Sequence, residues 1–359
     1  MTASANASTI ASAITLRTLT DGGQQPLEIA HEVAAFLGRA RRTLDLAQYD
    51  FNLGPETAAV VGAALREAAA RGVAVRIAYN LDHRLPIPVP PPPEPDAALI
   101  DSFGVPSKAI AGDPDLMHHK YVIRDGESVW TGSMNWTDDS WSHQENVVIT
   151  VESPELAAAF TKDFDQLWEL GFVEPTGFVD PVPLQVDGKQ VRAWFTPGHG
   201  EDLSHRIAKA IGRAKHRVRI CSPVLTAAAV ISTLAERVSE GKLDIAGCVD
   251  GTQLDGVFYD WHRDGNATWK IPILKRVLQA PFSGKRSTPY DDTSIHDFMH
   301  AKVTVADNVV FTGSFNLSRR GEKNAENVLE IHDADLAERL ATFVDEVRAR
   351  YPRFEAKNR

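Results

Sequence analysis

Cysteine is nearly absent from this chain of 359 residues: only Cys221 and Cys248 occur. Both sit in apolar, strand-like runs, which fits two buried, reduced thiols and leaves too few ligands for a structural zinc site. Long hydrophobic runs are missing too. No stretch approaches the roughly 18 apolar residues of a membrane span. The N-terminal Met1-Thr-Ala-Ser-Ala-Asn-Ala-Ser has neither the basic start nor the apolar core of a secretion signal, so a cytoplasmic location is the default expectation. Nor is there an excess of positive charge. Residues 1–180 carry 12 Lys or Arg against 25 Asp or Glu, and the remainder 26 against 23. So acidic a first half argues against a clamp along duplex nucleic acid, which binds by neutralising phosphates.

What is present is a pattern that occurs twice. His118, Lys120 and Asp125 are followed by Gly132, Ser133 and Asn135; His300, Lys302 and Asp307 are followed by Gly313, Ser314 and Asn316. Each copy reaches a Glu-Asn pair, Glu145-Asn146 and Glu326-Asn327, ten residues past its Asn. Two copies extended by the same polar residues are far beyond chance. The likeness continues outside the motifs: Gly38-Arg-Ala-Arg-Arg-Thr-Leu-Asp-Leu matches Gly212-Arg-Ala-Lys-His-Arg-Val-Arg-Ile, at an offset that drifts only from 174 to 182 residues. The chain therefore reads as one lobe in tandem, over 1–175 and 190–359, joined by a Pro/Gly-rich linker at 176–189. Each lobe is long enough to enclose its own core.

Within each lobe, helix-like and strand-like patterns alternate, as in an α/β layered fold. The first lobe predicts helices around Ile29 to Leu37 and Thr57 to Ala70, and strands at Thr43–Tyr49 and Val73–Tyr79. Lys120 to Ile123 and Ser128 to Thr131 form a hairpin turned by Asp125-Gly126. The second lobe predicts helices at Leu203 to Ala214 and Thr226 to Ser239, and strands at Arg217–Cys221 and Asp244–Val249. Two segments stand apart: a proline run from Pro86 to Pro95, expected as a stiff surface loop, and the aromatic stretch from Asp250 to Phe298. The latter is too long for an ordinary connection and is a candidate for binding substrate or for packing its own aromatics.

Residues two apart on a strand share a face, so His118 and Lys120 point together and His119 points away in a structural role. Two such half-sites set two histidines across one phosphate. One neutral imidazole can attack phosphorus while the other, protonated, gives its proton to the leaving alcohol. Lys120 and Lys302, with Ser133, Asn135, Ser314 and Asn316 binding substrate, meet the charge on the non-bridging oxygens, and the scheme needs no metal or cofactor. Asp125 and Asp307 complete the catalytic motif by spacing, although their places at turns favour structural support over proton transfer. Glu145 and Glu326 are placed to orient a histidine by accepting its second N–H.

At these residues the chain resembles the phospholipase D superfamily, whose His-x-Lys-x4-Asp signature stands in Leu116-Met-His-His-Lys-Tyr-Val-Ile-Arg-Asp and again in Phe298-Met-His-Ala-Lys-Val-Thr-Val-Ala-Asp. The resemblance implies an α/β fold of two similar lobes, each a mixed β-sheet flanked by helices, related by pseudo-twofold symmetry with the site between them. It also implies a phosphohistidine mechanism, with His118 as nucleophile and His300 as acid. Five residues separate Asp307 from Gly313 where six separate Asp125 from Gly132, which predicts a shorter turn. One core serves phospholipases, phosphatidyl transferases and nucleases, so it gives reaction class and not substrate. Phospholipase D-type hydrolysis of a phospholipid headgroup, with transfer to alcohols, ranks first. A metal-independent single-strand DNA or RNA endonuclease ranks second, and a silent lipid- or nucleic-acid-binding module third. The expected partner is a phosphodiester, with peripheral membrane contact for a lipid and a monomer as the working unit.

Overall fold

The computed structural model describes residues 12–81, 95–112, 114–291 and 293–356. Most of the proline run, and so its expected loop, lies outside the described residues. In the first lobe, seven strands form one mixed sheet in the order Ile14–Leu19, Asn146–Glu152, Ser128–Gly132, Lys120–Arg124, Thr43–Gln48, Ala74–Asn80, Ser107–Ile110. In the second, eight strands run Leu184–Val186, Lys189–Thr196, Glu326–His332, Val309–Gly313, Val303–Ala306, Arg217–Ser222, Asp244–Asp250, Phe282–Lys285. Each motif histidine lies a few residues before a strand in the interior of its sheet, Lys120–Arg124 and Val303–Ala306.

Helices form where the apolar spacing is helical and the first residues are capped. Ser153 accepts from Leu156 N–H at the start of helix Pro154–Leu170, and Gly171 ends it in the left-handed region at φ 74°. Asp333 caps its counterpart, helix Ala334–Arg350, by accepting from the N–H groups of Asp335 and Leu336.

The core differs from the expectation of one core per lobe. One apolar cluster lies within the first lobe and one within the second, but a third is common to both. It joins Tyr121, Phe160 and Phe164 of the first lobe to Phe195, Leu340 and Val344 of the second. Phe160 meets Phe195 edge-on at 4.9 Å between centroids. Burial of this layer needs both halves, because separating them would return large aromatic and aliphatic faces to water.

The stretch from Asp250 to Phe298 is not a loop of aromatics. It forms helices Gly251–Asp264 and Lys270–Val277 and then strand Phe282–Lys285, which extends the sheet in parallel beside Asp244–Asp250. Leu254, Phe258, Ile271, Leu274 and Val277 are buried at helical spacing, whereas Tyr259 and Trp269 stay exposed.

Candidate active site between the lobes

The two motifs meet because short pieces of each lobe pair with the other. Met117 bridges to Ala325 and Met299 to Glu145, both in parallel. His118 N–H donates to Ala325 O at 2.8 Å, and Leu116 N–H to Asn324 Oδ1 at 3.0 Å. Asn80 and Asp250, which the motifs do not mark, play matching parts: Asn80 Oδ1 accepts from Met117 N–H and Asp250 Oδ2 from Met299 N–H.

Both histidines and both lysines are buried, His118 and His300 keeping 6% and 8% exposure and Lys120 and Lys302 0% and 3%. A phosphate entering the site therefore meets the imidazoles before the ammonium groups. Each lysine donates to the carbonyl of its own histidine, Lys120 Nζ to His118 O at 2.8 Å and Lys302 Nζ to His300 O at 2.7 Å. The ring of Tyr49 lies 4.5 Å from that of His118, and Lys120 Nζ sits 4.7 Å from the Tyr49 centroid. Asp50 is buried beside them, accepting weakly from Asn135 Nδ2 at 3.4 Å. Tyr49 and Asp50 were not foreseen: they follow the end of strand Thr43–Gln48, the usual place for a site, but no motif marks them.

Electrostatics here are dominated by burial among like charges. Desolvation lowers His118 and His300 well below the ordinary imidazole value, and Lys120 and Lys302 push each of them further down. Desolvation also lowers Lys120 to about 7 and brings Lys302 well down, while it raises Asp50 to about 7. Glu326 is raised by burial and pulled back by Lys120 and Lys302. The site is thus a buried cluster of basic groups that gain a compensating charge when an anion enters.

Glu326 does orient a histidine, and it belongs to the opposite lobe: its Oε2 lies 2.7 Å from His118 Nδ1. Glu145 does not. Its carboxylate accepts from Lys285 Nζ at 3.2 Å and from the Tyr351 hydroxyl, while His300 Nδ1 faces Asn146 Oδ1 at 3.2 Å. The reason is register. Gly132 pairs with Val148 and Gly313 with Val328, so sixteen residues span the first interval and fifteen the second. A Cβ on Gly132 would come 2.0 Å from Val147 O, and one on Gly313 2.1 Å from Asn327 O, which marks Val147 and Asn327 as equivalents. The counterpart of Glu326 is therefore Asn146, and that of Glu145 is Ala325. The two Glu-Asn pairs match in sequence one residue out of step with the sheets, because the first lobe fits helix Asp138–Ser142 where the second has only turns.

Two further expectations are corrected. Asp125 and Asp307 are not in the cluster: Asp125 Oδ1 accepts from the N–H groups of Arg41, Arg42 and Thr43, and the Asp307 carboxylate from those of Lys215, His216 and Arg217. They tie the outer end of the hairpin to the neighbouring strand, with left-handed φ of 58° and 51°. The loop closes in three residues after Arg124 but two after Ala306, which is the shorter turn expected. Ser133 and Ser314 are fully buried and face the histidine partners, not a ligand. Ser133 Oγ donates to Asn146 Oδ1 at 2.8 Å, and Ser314 Oγ bonds Glu326 while accepting from Asn327 N–H at 3.0 Å. Asn135 and Asn316 keep spare capacity, since neither Oδ1 has a hydrogen-bond partner among the described residues. His119 points to the opposite face as predicted, with Nε2 3.1 Å from Asp163 Oδ2. Among the described residues no three His, Cys, Asp or Glu side chains converge as a metal site, and no helix is long and apolar enough to cross a membrane.

Comparison with known proteins gives the same picture. The family model described as "Cardiolipin synthase, PLD-like domain" matches the chain twice, over residues 33–168 and 207–348. The mitochondrial cardiolipin hydrolase of Chlamydomonas reinhardtii is 30% identical over 137 residues, 38% of this chain and 55% of that protein. Its human counterpart is 32% identical over 131 residues, 36% of this chain and 47% of that protein. The chain thus spans about half the length of the curated relatives it matches. Among solved structures, phosphatidylserine synthase of Haemophilus influenzae superposes with a TM-score of 0.63 at 12% identity, over 93% of this chain and 86% of that one. Polyphosphate kinase of Porphyromonas gingivalis gives 0.56 at 12% identity, over 92% and 50%. Those two share the fold. With the family model covering most of both lobes, the chain belongs to the phospholipase D-like family, carrying two copies of its domain in one polypeptide.

Proposed function

We propose that this chain is a phospholipase D-type phosphodiesterase that hydrolyses the headgroup phosphodiester of a phospholipid through a phosphohistidine on His118. The observation that carries the reading is the 2.7 Å bond between His118 Nδ1 and buried Glu326: in the tautomer whose Nδ1–H donates to the carboxylate, Nε2 is the atom free to attack. In the first step the Nε2 lone pair forms a bond to phosphorus. The bond from phosphorus to the leaving alcohol breaks, and that oxygen takes from His300 Nε2 the second proton that this imidazole picks up when the anionic phosphate binds beside it. Water then attacks phosphorus and passes its proton to His300, the N–P bond breaks, and His118 regains its lone pair. Lys120 and Lys302, with Asn135 and Asn316, hold the non-bridging oxygens as charge builds on them. Since one chain carries both half-sites, a monomer is the working unit.

Phospholipid is favoured as substrate because the curated relatives are named cardiolipin hydrolases. Of the basic residues Arg319, Arg320 and Lys323 that a single-strand nuclease would use after Asn316, the first two are also committed. Arg319 pairs with Glu201 at 2.8 Å and Glu322 at 3.1 Å, and Arg320 donates to Pro114 O. Vesicles of cardiolipin, phosphatidylglycerol or phosphatidylcholine, incubated with enzyme and ethanol, should yield phosphatidic acid and phosphatidylethanol together. An ethanol adduct forms because any primary alcohol that reaches the phosphohistidine competes with water. Inertness toward all three lipids, with salt-sensitive cutting of single-stranded DNA or RNA, would overturn the substrate and leave the chemistry standing.

A further inference from the structure

The two histidines are held by different chemistry, and the difference follows from the register of the sheets. Asn146 and Glu326 occupy equivalent places: Ser133 N–H donates to Val147 O one residue beyond Asn146, and Ser314 N–H to Asn327 O one residue beyond Glu326. Each accepts from a buried serine and faces the Nδ1 of the histidine from the other lobe. We propose that Asn146 is a positioning residue that fixes His300 as the stronger acid of the pair, so that the exchange of carboxylate for amide decides which imidazole attacks phosphorus and which gives up the proton. The proposal rests on the phosphodiester reaction above.

The orientation of Asn146 follows from its other bonds. Its Nδ2 donates to Ser140 O at 3.1 Å, a carbonyl that can only accept, so Oδ1 must be the atom facing Ser133 Oγ and His300. His300 Nδ1 then carries a proton, and its Nε2 is the atom presented to the leaving group. For His118 the partner is a carboxyl group, raised by burial to about 8 and drawn to its charged form by positive charge developing on the ring. Bond formation at Nε2 puts positive charge on that ring, and a carboxylate 2.7 Å away stabilises it far more than an amide dipole does. For His300 the neutral amide gives the imidazolium no such support.

Of the other groups facing His300, the two lysines act in the same sense and the Ser133 backbone contact opposes them. Lys302 stands on its own segment and Lys120 across the interface, each lowering the proton affinity of His300 when charged, with His118 opposite and the Ser133 backbone as a further hydrogen-bond contact. Glu145, on the strand beside Asn146, is turned toward Lys285 and Tyr351. A carboxylate at position 146 would therefore strengthen His300 as a base and weaken it as an acid.

The test is Asn146→Asp, which keeps size and shape, read by pH titration of ¹⁵N-labelled histidine and by turnover of two probes. One is bis(p-nitrophenyl) phosphate, whose leaving group needs no proton; the other is phosphatidylcholine, whose alcohol does. The proposal expects the His300 titration to rise by about one unit or more while His118 moves little. It also expects phosphatidylcholine turnover to fall about tenfold while the nitrophenyl diester changes less than about twofold. A folded Asn146→Asp protein with His300 titrating as in wild type, or one equally slow on both probes, would overturn it. Should the aspartate variant misfold, Asn146→Ser takes its place: loss of the amide acceptor must change His300 in titration and in selectivity between the probes, and no change would be equally fatal. A wild type inert toward both diesters would defeat the functional reading instead, and the titration would still decide whether residue 146 sets the proton affinity of His300.

Discussion

His118 and Glu326, 208 residues apart in the chain, share a 2.7 Å hydrogen bond that crosses from one lobe to the other. The reciprocal contact, His300 to Asn146, crosses the opposite way at 3.2 Å. Each histidine is thus aligned by the half of the protein that does not carry it. Lobes produced separately should be inactive and should expose the shared Phe160, Phe195 and Val344 layer. Co-expression should restore activity, with turnover tracking the reassociated fraction; activity in either monomeric lobe alone would contradict this.

Glu326→Gln should lower kcat about 100-fold with little change in KM, because the amide keeps the geometry and loses the charge that stabilises the attacking ring. Glu145→Gln should leave kcat within about threefold, since that carboxylate braces Lys285 and Tyr351 and reaches neither histidine. Steady-state kinetics on one lipid substrate with both variants separates the two positions. Equal losses would contradict the assignment by register.

Asp125→Ala and Asp307→Ala should cost stability and spare chemistry. Each substitution removes the carboxylate acceptor of backbone N–H groups that water can reach, at about 0.5–1.5 kcal/mol. Urea unfolding should show the loss, with kcat/KM within about threefold of wild type under conditions where the variants are folded. A collapse of kcat in a stable variant would return these residues to the catalytic set.

Anion binding should be linked to protons. Burial brings Lys120 down to about 7, so it is largely neutral above that pH, and an anion bound beside it raises its proton affinity. Tungstate should therefore take up protons on binding at pH 8 and lose affinity as pH rises through 7. Calorimetry in two buffers of different ionisation enthalpy reads the uptake directly. Proton release, or affinity independent of pH, would contradict the picture of a desolvated lysine.

The half-sites, the alternation of helix and strand and the two-lobed plan were legible because they depend on local spacing: His118 and Lys120, two apart where the chain enters strand Lys120–Arg124, both meet Tyr49. What failed depended on register. Glu145-Asn146 and Glu326-Asn327 match letter for letter, yet the sheets align Asn146 with Glu326, and nothing local in either segment signals the extra residue fitted before the first strand. The helices within Asp250 to Phe298 were legible in principle, since Leu254 and Phe258 repeat at helical spacing, as do Ile271, Leu274 and Val277. The many aromatics drew attention to the surface instead. Tyr49 and Asp50 carried no signal, because only folding brings the end of their strand against His118 and Asn135.

The most direct test is to find the covalent intermediate. Enzyme mixed with bis(p-nitrophenyl) phosphate and quenched in alkali, where phosphohistidine survives, should release one p-nitrophenol rapidly. Digestion and mass spectrometry should then place the p-nitrophenyl phosphoryl group on the peptide bearing His118, with none on that bearing His300. Recovery of the adduct on His300, or a rapid burst with no adduct on either histidine, would contradict the account.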